Sequence, residues 1–299
     1  MKILITGGTG LIGRALCREL HARGCTLTVL SRAPATVAEK CGGDVTALAS
    51  LDDWRAGDAF DAVVNLAGAP IADRRWTAKR KKILMQSRVT ITKKLAAKIA
   101  AAETKPRALI SASAVGYYGD TGDHEVDETA PPGSDFGAKL CVAWEAAASA
   151  IESTGVRVCI ARTGIVLSRS GGMLTRMLPA FKFGLGARIG GGEQYLSWIH
   201  IDDYIDMLCR LLFDDAHRGA YNLCAPAAVT NAEFTVQLAR ALHRPAVLRA
   251  PAVVIKAALG EASLLLLGGQ RVTPARLLAA GHPFRYATLD DALAALIKP

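Results

Sequence analysis

The stretch TGGTGLIG, Thr6 to Gly13, follows the β-branched run KILIT and leads straight into LIGRALCRELHARG, so a strand, a glycine turn and a helix stand in succession. No other feature limits the fold as much. Gly7 allows a tight turn, Gly10 lets the backbone approach a pyrophosphate, and Gly13 permits close packing of the helix, whose N-terminus then faces an anion. Leu11 and Ile12 complete the loop. The succession predicts the first βαβ unit of a doubly wound, parallel α/β sheet of the Rossmann type.

The rest of the chain keeps the same rhythm. TLTVL, DAVVNLAG, RALISAS and VRVCIAR read as further strands, and the stretches around SRVTITKKLAAKIAAAE and GAKLCVAWEAAASAIESTG read as helices. This alternation belongs to a parallel sheet covered on both faces. The helix Leu11–Arg23 is expected to end at Gly24, and the one from about Ala138 to Ser153 near Gly155. After Arg162 glycines crowd in, around a short helix MLTRMLPAFKFG, before SWIHIDD returns to a strand and a helix through Phe213. The expected division is residues 1–166 as the nucleotide-binding domain, with 198–226 returning to it, and 167–299 mainly as a smaller, helical C-terminal substrate lobe.

The second strand ends TLTVLSRAP, about 20 residues beyond the glycines, where a carboxylate would bind the ribose 2′-hydroxyl of NAD. Ser31 and Arg32 stand there instead. A guanidinium forms charge-assisted bonds to a 2′-phosphate and a serine can donate another, so the cofactor expected is NADP(H).

Composition excludes other classes. With 299 residues, 51% of them hydrophobic, the chain can fill a large core. Its seven cysteines (17, 25, 41, 141, 159, 209, 224) are dispersed, without CxxC pairs or histidines at zinc spacing, so neither a disulfide framework nor a metal site is encoded locally. The absence of a leader pattern and of any long apolar run reads as a soluble cytoplasmic protein with no membrane partner. The net charge of +9 peaks in RRWTAKRKK, Arg74–Lys82, a solvated helix start or a funnel for a phosphorylated small molecule. No aromatic platform accompanies it, which argues against nucleic acid.

The glycine pattern, NLAG at Asn65–Gly68, SASAVGYYG at Ser111–Gly119, Lys139 and WIHIDD at Trp198–Asp203 together resemble the extended short-chain dehydrogenase/reductases, the NAD(P)-dependent epimerase/dehydratase superfamily. AGAPIADRRW, SRVTIT, RTGIVLS, GLGARIGGGEQYLSWIHIDD and GGQRVTP are similar to its YfcH-like "epimerase family" subgroup. The resemblance implies that Leu66, Ala67 and Gly68 pass their backbone along the cofactor's adenosine and ribose. It implies that Ser113 bonds a substrate hydroxyl or carbonyl, and that Lys139 holds the nicotinamide ribose and lowers the pKa of a neighbouring tyrosine.

That tyrosine is missing. In the superfamily the lysine closes a YxxxK frame, whereas this chain reads Asp135-Phe136-Gly137-Ala138-Lys139. Tyr117 and Tyr118 follow the strand that carries Ser113 and are candidates for the proton donor, and Asp135 is a candidate base. In SRVTITKKL, Arg88 occupies the superfamily's usual asparagine position and is expected to face the cofactor. His200 reads as a structural histidine, with Asp202 and Asp203 capping the next helix. Gln194, Arg188 and Arg271 lie where relatives grip the diphosphate of a nucleotide-sugar.

The function expected from these features is hydride transfer between NADP(H) and a small hydroxyl or carbonyl substrate, or epimerisation by transient oxidation. A protein that binds NADPH and reports it to a partner without turnover is the alternative. Substrate identity and oligomeric state stay open.

Overall fold

The structure is a computed structural model that describes residues 1–55 and 57–297. Its centre is a seven-stranded sheet of Lys2–Thr6 (β1), Thr26–Leu30 (β2), Val45–Leu48 (β3), Ala62–Asn65 (β4), Ala108–Ala114 (β5), Arg157–Thr163 (β6) and Gly219–Leu223 (β7). All neighbouring pairs are parallel, in the spatial order β7-β6-β5-β4-β1-β2-β3. The chain therefore winds outward one way from β1 and then returns to start again at β4. The switch point lies between those two strands, and folds of this kind bind ligands at the carboxyl ends there.

Strand side chains alternate between two cores. Ile3, Ile5, Val64 and Ile110 enter one, with Leu16, Cys17 and Leu20 of the helix Leu11–Ala22 (α1). Leu4, Val63, Leu109, Val158 and Ile160 enter the other, with Leu95 and Ile99 of a helix at Ile91–Ala101. Burial on both faces explains why the strands read as unbroken apolar runs. On α1 the buried positions are Gly13, Leu16, Cys17 and Leu20, a stripe at helical spacing.

Five strands expected from sequence form where expected. The outer strands β3 and β7 were not evident, because VTAL and GAYNL are short and mixed in polarity. The glycine-rich insert folds as a strand Ile165–Ser168, a helix Gly172–Lys182 and a strand Ala187–Ile189. Trp198–His200 pairs in parallel with Ile165–Ser168, and the helix Ile201–Phe213 then packs on the sheet.

Candidate functional site

The glycine turn sits at the carboxyl end of β1. Gly7 adopts φ +72°, and a β-carbon there would lie 2.5 Å from the Leu66 carbonyl oxygen. A β-carbon on Gly13 would lie 2.5 Å from Gly8 Cα. Both positions are closed to any side chain, so the turn is held against the β4 loop and against α1. Gly10 is the N-cap of α1 and supplies no side-chain cap, which leaves the first amides of the helix directed at the switch point. Leu11 reaches across to the loop of Gly171 and Gly172, where their β-carbons would meet its methyl groups at 3.5 and 3.2 Å, while Ile12 packs on the core.

At the end of β2 the Ser31 hydroxyl accepts the Ala33 amide (3.2 Å), and Arg32 is exposed. No carboxylate pairs with Arg32 among the described residues. The β4 loop is set by a buried polar ladder. Thr6 Oγ1 donates to Asn65 Oδ1 (2.6 Å), Asn65 Nδ2 donates to Thr92 Oγ1 (2.8 Å) and Ser111 Oγ (3.2 Å), and the Ala67 amide donates to Thr6 Oγ1 (3.2 Å). The Trp144 indole also donates to Thr92 (3.0 Å). Leu66, Ala67 and Gly68 are thereby fixed beside the glycine turn.

Arg88 enters the site from an irregular stretch. A helix at Ala78–Met85 widens into a π turn at Gln86–Thr90 before continuing as Ile91–Ala101. The Arg88 guanidinium lies beside Gly68, where a β-carbon would be 3.0 Å from its Cζ, and over the Trp144 ring at 5.2 Å. Its one protein hydrogen bond among the described residues is long, to Ser87 Oγ (3.4 Å). Burial pulls its pKa below the ordinary arginine value, with Arg80 adding to the effect. A half-buried guanidinium without a carboxylate partner has donors free to meet an anion.

Ser113 ends up in a network that the sequence did not suggest. Strand register places Ser113 beside Arg162, and Arg162 beside Asn222, across β5, β6 and β7. The Ser113 hydroxyl is buried and donates to Glu145 Oε1 (2.6 Å), while Arg162 Nε and Nη2 grip the two oxygens of the same carboxylate at 3.0 and 2.9 Å. Arg162 Nη1 donates to the Tyr118 hydroxyl (2.9 Å), which donates onward to Asn222 Oδ1 (2.7 Å). Burial opposes the Arg162 charge, but the bonds and charge of Glu145 outweigh it and hold its pKa above the ordinary value. Burial also pushes the Tyr118 phenol up to about 12 despite Arg162.

Tyr117 differs from its neighbour. Its ring lies under Arg162, 3.5 Å from Cζ to the centroid, and its hydroxyl has no protein partner among the described residues. Lys139 is exposed on the first turn of the helix Phe136–Ser149, and its ammonium has no ion pair among those residues. Asp135 is the N-cap of that helix, its Oδ1 accepting the Ala138 amide at 2.9 Å, and Phe136 packs edge-on against Trp76. The residue at the superfamily's tyrosine position is thus engaged in starting the helix.

His200 is the N-cap of the helix Ile201–Phe213, with Nδ1 accepting the Asp202 amide (3.1 Å) and the ring stacked on Tyr286. The capping expected of the aspartates belongs to this histidine, and the buried Asp203 instead accepts the amides of Arg285 and Tyr286, both at 2.9 Å. Gln194 donates to the carbonyls of Ile189 and Leu266. Arg271 pairs with Glu125 at 3.5 Å, and Arg188 is exposed. Glu145, Arg162 and Asn222 went unrecognised in the sequence. The available signal was a glutamate and an arginine on apolar faces, which calls for a partner. Among the described residues no cluster of histidine, cysteine and carboxylate side chains could hold a metal ion.

Known proteins share this fold. The profile of the NAD dependent epimerase/dehydratase family matches residues 3–224, and that of a domain of unknown function, DUF1731, matches residues 250–296. The epimerase family protein Mb2239 of Mycobacterium bovis is 46% identical over 293 residues, covering 97% of this chain and 96% of its own. The human epimerase family protein SDR39U1 (isoform 2), whose crystal structure is with NADPH, superposes with a TM-score of 0.91 at 37% identity, over 99% of both chains. A nucleoside-diphosphate sugar epimerase from Corynebacterium glutamicum superposes with a TM-score of 0.76 at 32% identity, over 99% of this chain and 58% of that one.

Proposed function

Because the chain belongs to the NAD dependent epimerase/dehydratase family, we propose that it binds NADP(H) across the carboxyl ends of β1, β2 and β4 and acts as an oxidoreductase or epimerase on a small hydroxyl or carbonyl compound. The observation that carries this reading is the glycine cradle: Gly7 and Gly13 are closed to side chains, and the uncapped start of α1 offers amides to a diphosphate. The donor set fits the whole cofactor. Arg32 and Ser31 take the 2′-phosphate, Leu66 to Gly68 run along the adenosine side, and Arg88 and Lys139 supply cations near the nicotinamide ribose. The human relative solved with NADPH supports the choice of the phosphorylated cofactor.

When bound, the nicotinamide supplies hydride exchange at a carbon of the substrate. The residues of the chain then orient the substrate and move one proton. Ser113, its hydrogen already given to Glu145, offers oxygen lone pairs to a substrate donor. Tyr117 is the phenol with an uncommitted hydroxyl and is assigned the proton transfer, whereas Tyr118 is committed to Arg162 and Asn222 and is assigned to support.

Titration with NADPH and NADH tests the cofactor reading. NADPH should bind more tightly, and Arg32→Ala should reduce its affinity by roughly 10- to 100-fold with little effect on NADH, the range for loss of one charged hydrogen-bonding group. Equal affinities in the unaltered protein would refute it. Loss of reduced-nicotinamide absorbance with a panel of carbonyl compounds then separates turnover from binding. The second reading, a cofactor-binding sensor, draws on Asp135 standing as a helix cap where the tyrosine is expected, and it requires that no compound in the panel consumes NADPH.

A further inference from the structure

The C-terminal lobe carries a face that the proposed chemistry does not use. The helix Ala252–Leu259, AVVIKAAL, has no buried residue, with Val253 77% and Val254 61% exposed. Phe183 (81%) and Val247 (85%) also stand out in solvent, joined by Leu185 and Leu248. These residues share one edge. The strand Leu248–Ala250 pairs with Ala187–Ile189, a β-carbon on Gly184 would touch Pro245 at 3.6 Å, and one on Gly190 would touch Ala252 at 3.8 Å.

Charge on this edge is mainly positive, with the exposed Glu193 and Glu261 at its margins. Neither 169–192 nor 234–260 contains an aspartate or glutamate, whereas Lys182, Arg188, Arg244, Arg249 and Lys256 are all exposed there. None of the five forms an ion pair among the described residues. Past Gly260, which abuts the Arg75 guanidinium, the edge meets the run Arg74–Lys82, where Lys81 pairs with Glu261 (2.5 Å) and Arg80 with Asp73 (2.6 Å).

We propose that this face docks on an anionic lipid bilayer surface, with Phe183, Val247, Val253 and Val254 entering the headgroup boundary and the lysines and arginines around them meeting lipid phosphates. Protruding apolar side chains fringed by long cationic ones suit an interface that is apolar within and negative at its surface. Charge complementarity decides against a second copy, because two such faces brought together by a twofold axis would set cation against cation. The mode is peripheral, since no helix among the described residues is long and apolar enough to cross a membrane.

Flotation of the full chain with vesicles of phosphatidylcholine alone and of an equal phosphatidylcholine–phosphatidylglycerol mixture tests this. Binding is expected to the mixed vesicles only and to weaken as salt is raised. The pair Phe183→Ser/Val253→Asp and the pair Lys182→Glu/Arg244→Glu should each weaken it on the order of tenfold or more, with thermal melts and NADPH affinity unchanged. Absence of binding to the mixed vesicles overturns the proposal, as does binding that both pairs leave intact. A dimer in light scattering that the apolar pair dissociates, without vesicle binding, would hand the face to a second copy. Binding of soluble polyglutamate as tight as that of the mixed vesicles, and indifferent to the apolar pair, would show that charge alone is read.

Discussion

The Glu145–Arg162 pair beneath Ser113 is the most exacting place to test the energetics. Its side chains are 12% and 6% exposed, and the carboxylate receives two guanidinium bonds besides the Ser113 hydroxyl. Glu145→Leu leaves a guanidinium buried with a phenol oxygen and a carbonyl for company, and Arg162→Met leaves a carboxylate with a single hydroxyl. Breaking a buried pair from one side costs about 3–5 kcal/mol. With an unfolding entropy of about 2.1 cal/mol/K per residue, a chain of 299 residues should lose about 5–8 °C in Tm for either single change. The double variant removes both desolvated charges, so it should sit well above the sum, with a coupling of about 3 kcal/mol. Thermal and urea unfolding of the four proteins measures this. A coupling near zero, or a Glu145→Leu protein as stable as the parent, would refute the claim that the pair is held together by mutual compensation.

Four further outcomes follow from named residues. Gly13→Ala should abolish NADPH binding and lower Tm, because its β-carbon has no room between Gly7 and Gly8; binding by titration within a few fold of the parent would contradict this. Tyr118→Phe should cost about 1–2 kcal/mol in urea unfolding, since it strands Arg162 and Asn222. Once a turned-over compound is known, Tyr117→Phe should slow the chemical step far more than Tyr118→Phe, and equal effects on kcat would reverse the assignment. Burial lowers the pKa of His200, His217 and His282 below the ordinary 6.5. The unfolded chain therefore binds protons first as pH falls, so their stabilisation is full above about pH 6.5 and is lost below it. Melts between pH 8 and 5 should show this decline, and His200→Asn, which keeps a cap, should make it shallower.

The sequence disclosed what local chemistry dictates. KILIT followed by TGGTGLIG names its own strand, turn and helix, and the absence of an acid at Ser31–Arg32 agrees with a human relative solved with NADPH. Arg162 and Glu145 were illegible because they lie 17 residues apart, on a strand and a helix, and only the register of β5, β6 and β7 makes Ser113, Arg162 and Asn222 neighbours. Asp135 was read as a possible base because its position, and not its backbone conformation, was visible. The apolar and cationic face on the C-terminal lobe escaped notice for a related reason: its residues come from segments around 183, 247 and 253, none of which carries a membrane signal alone.

The π turn at Gln86–Thr90 bears on where the Arg88 side chain is aimed. A π turn is an α-helix with one residue inserted, so the halves on either side keep the faces they would have without it. Deleting a single residue there would let the helix close into regular geometry, with Leu84 before it and Leu95 after it still turned to their cores, while Arg88 lost its place beside Gly68. The aim of that guanidinium is therefore set by the number of residues in this one turn, and a one-residue deletion there would test it by weakening NADPH binding while leaving both helix halves packed.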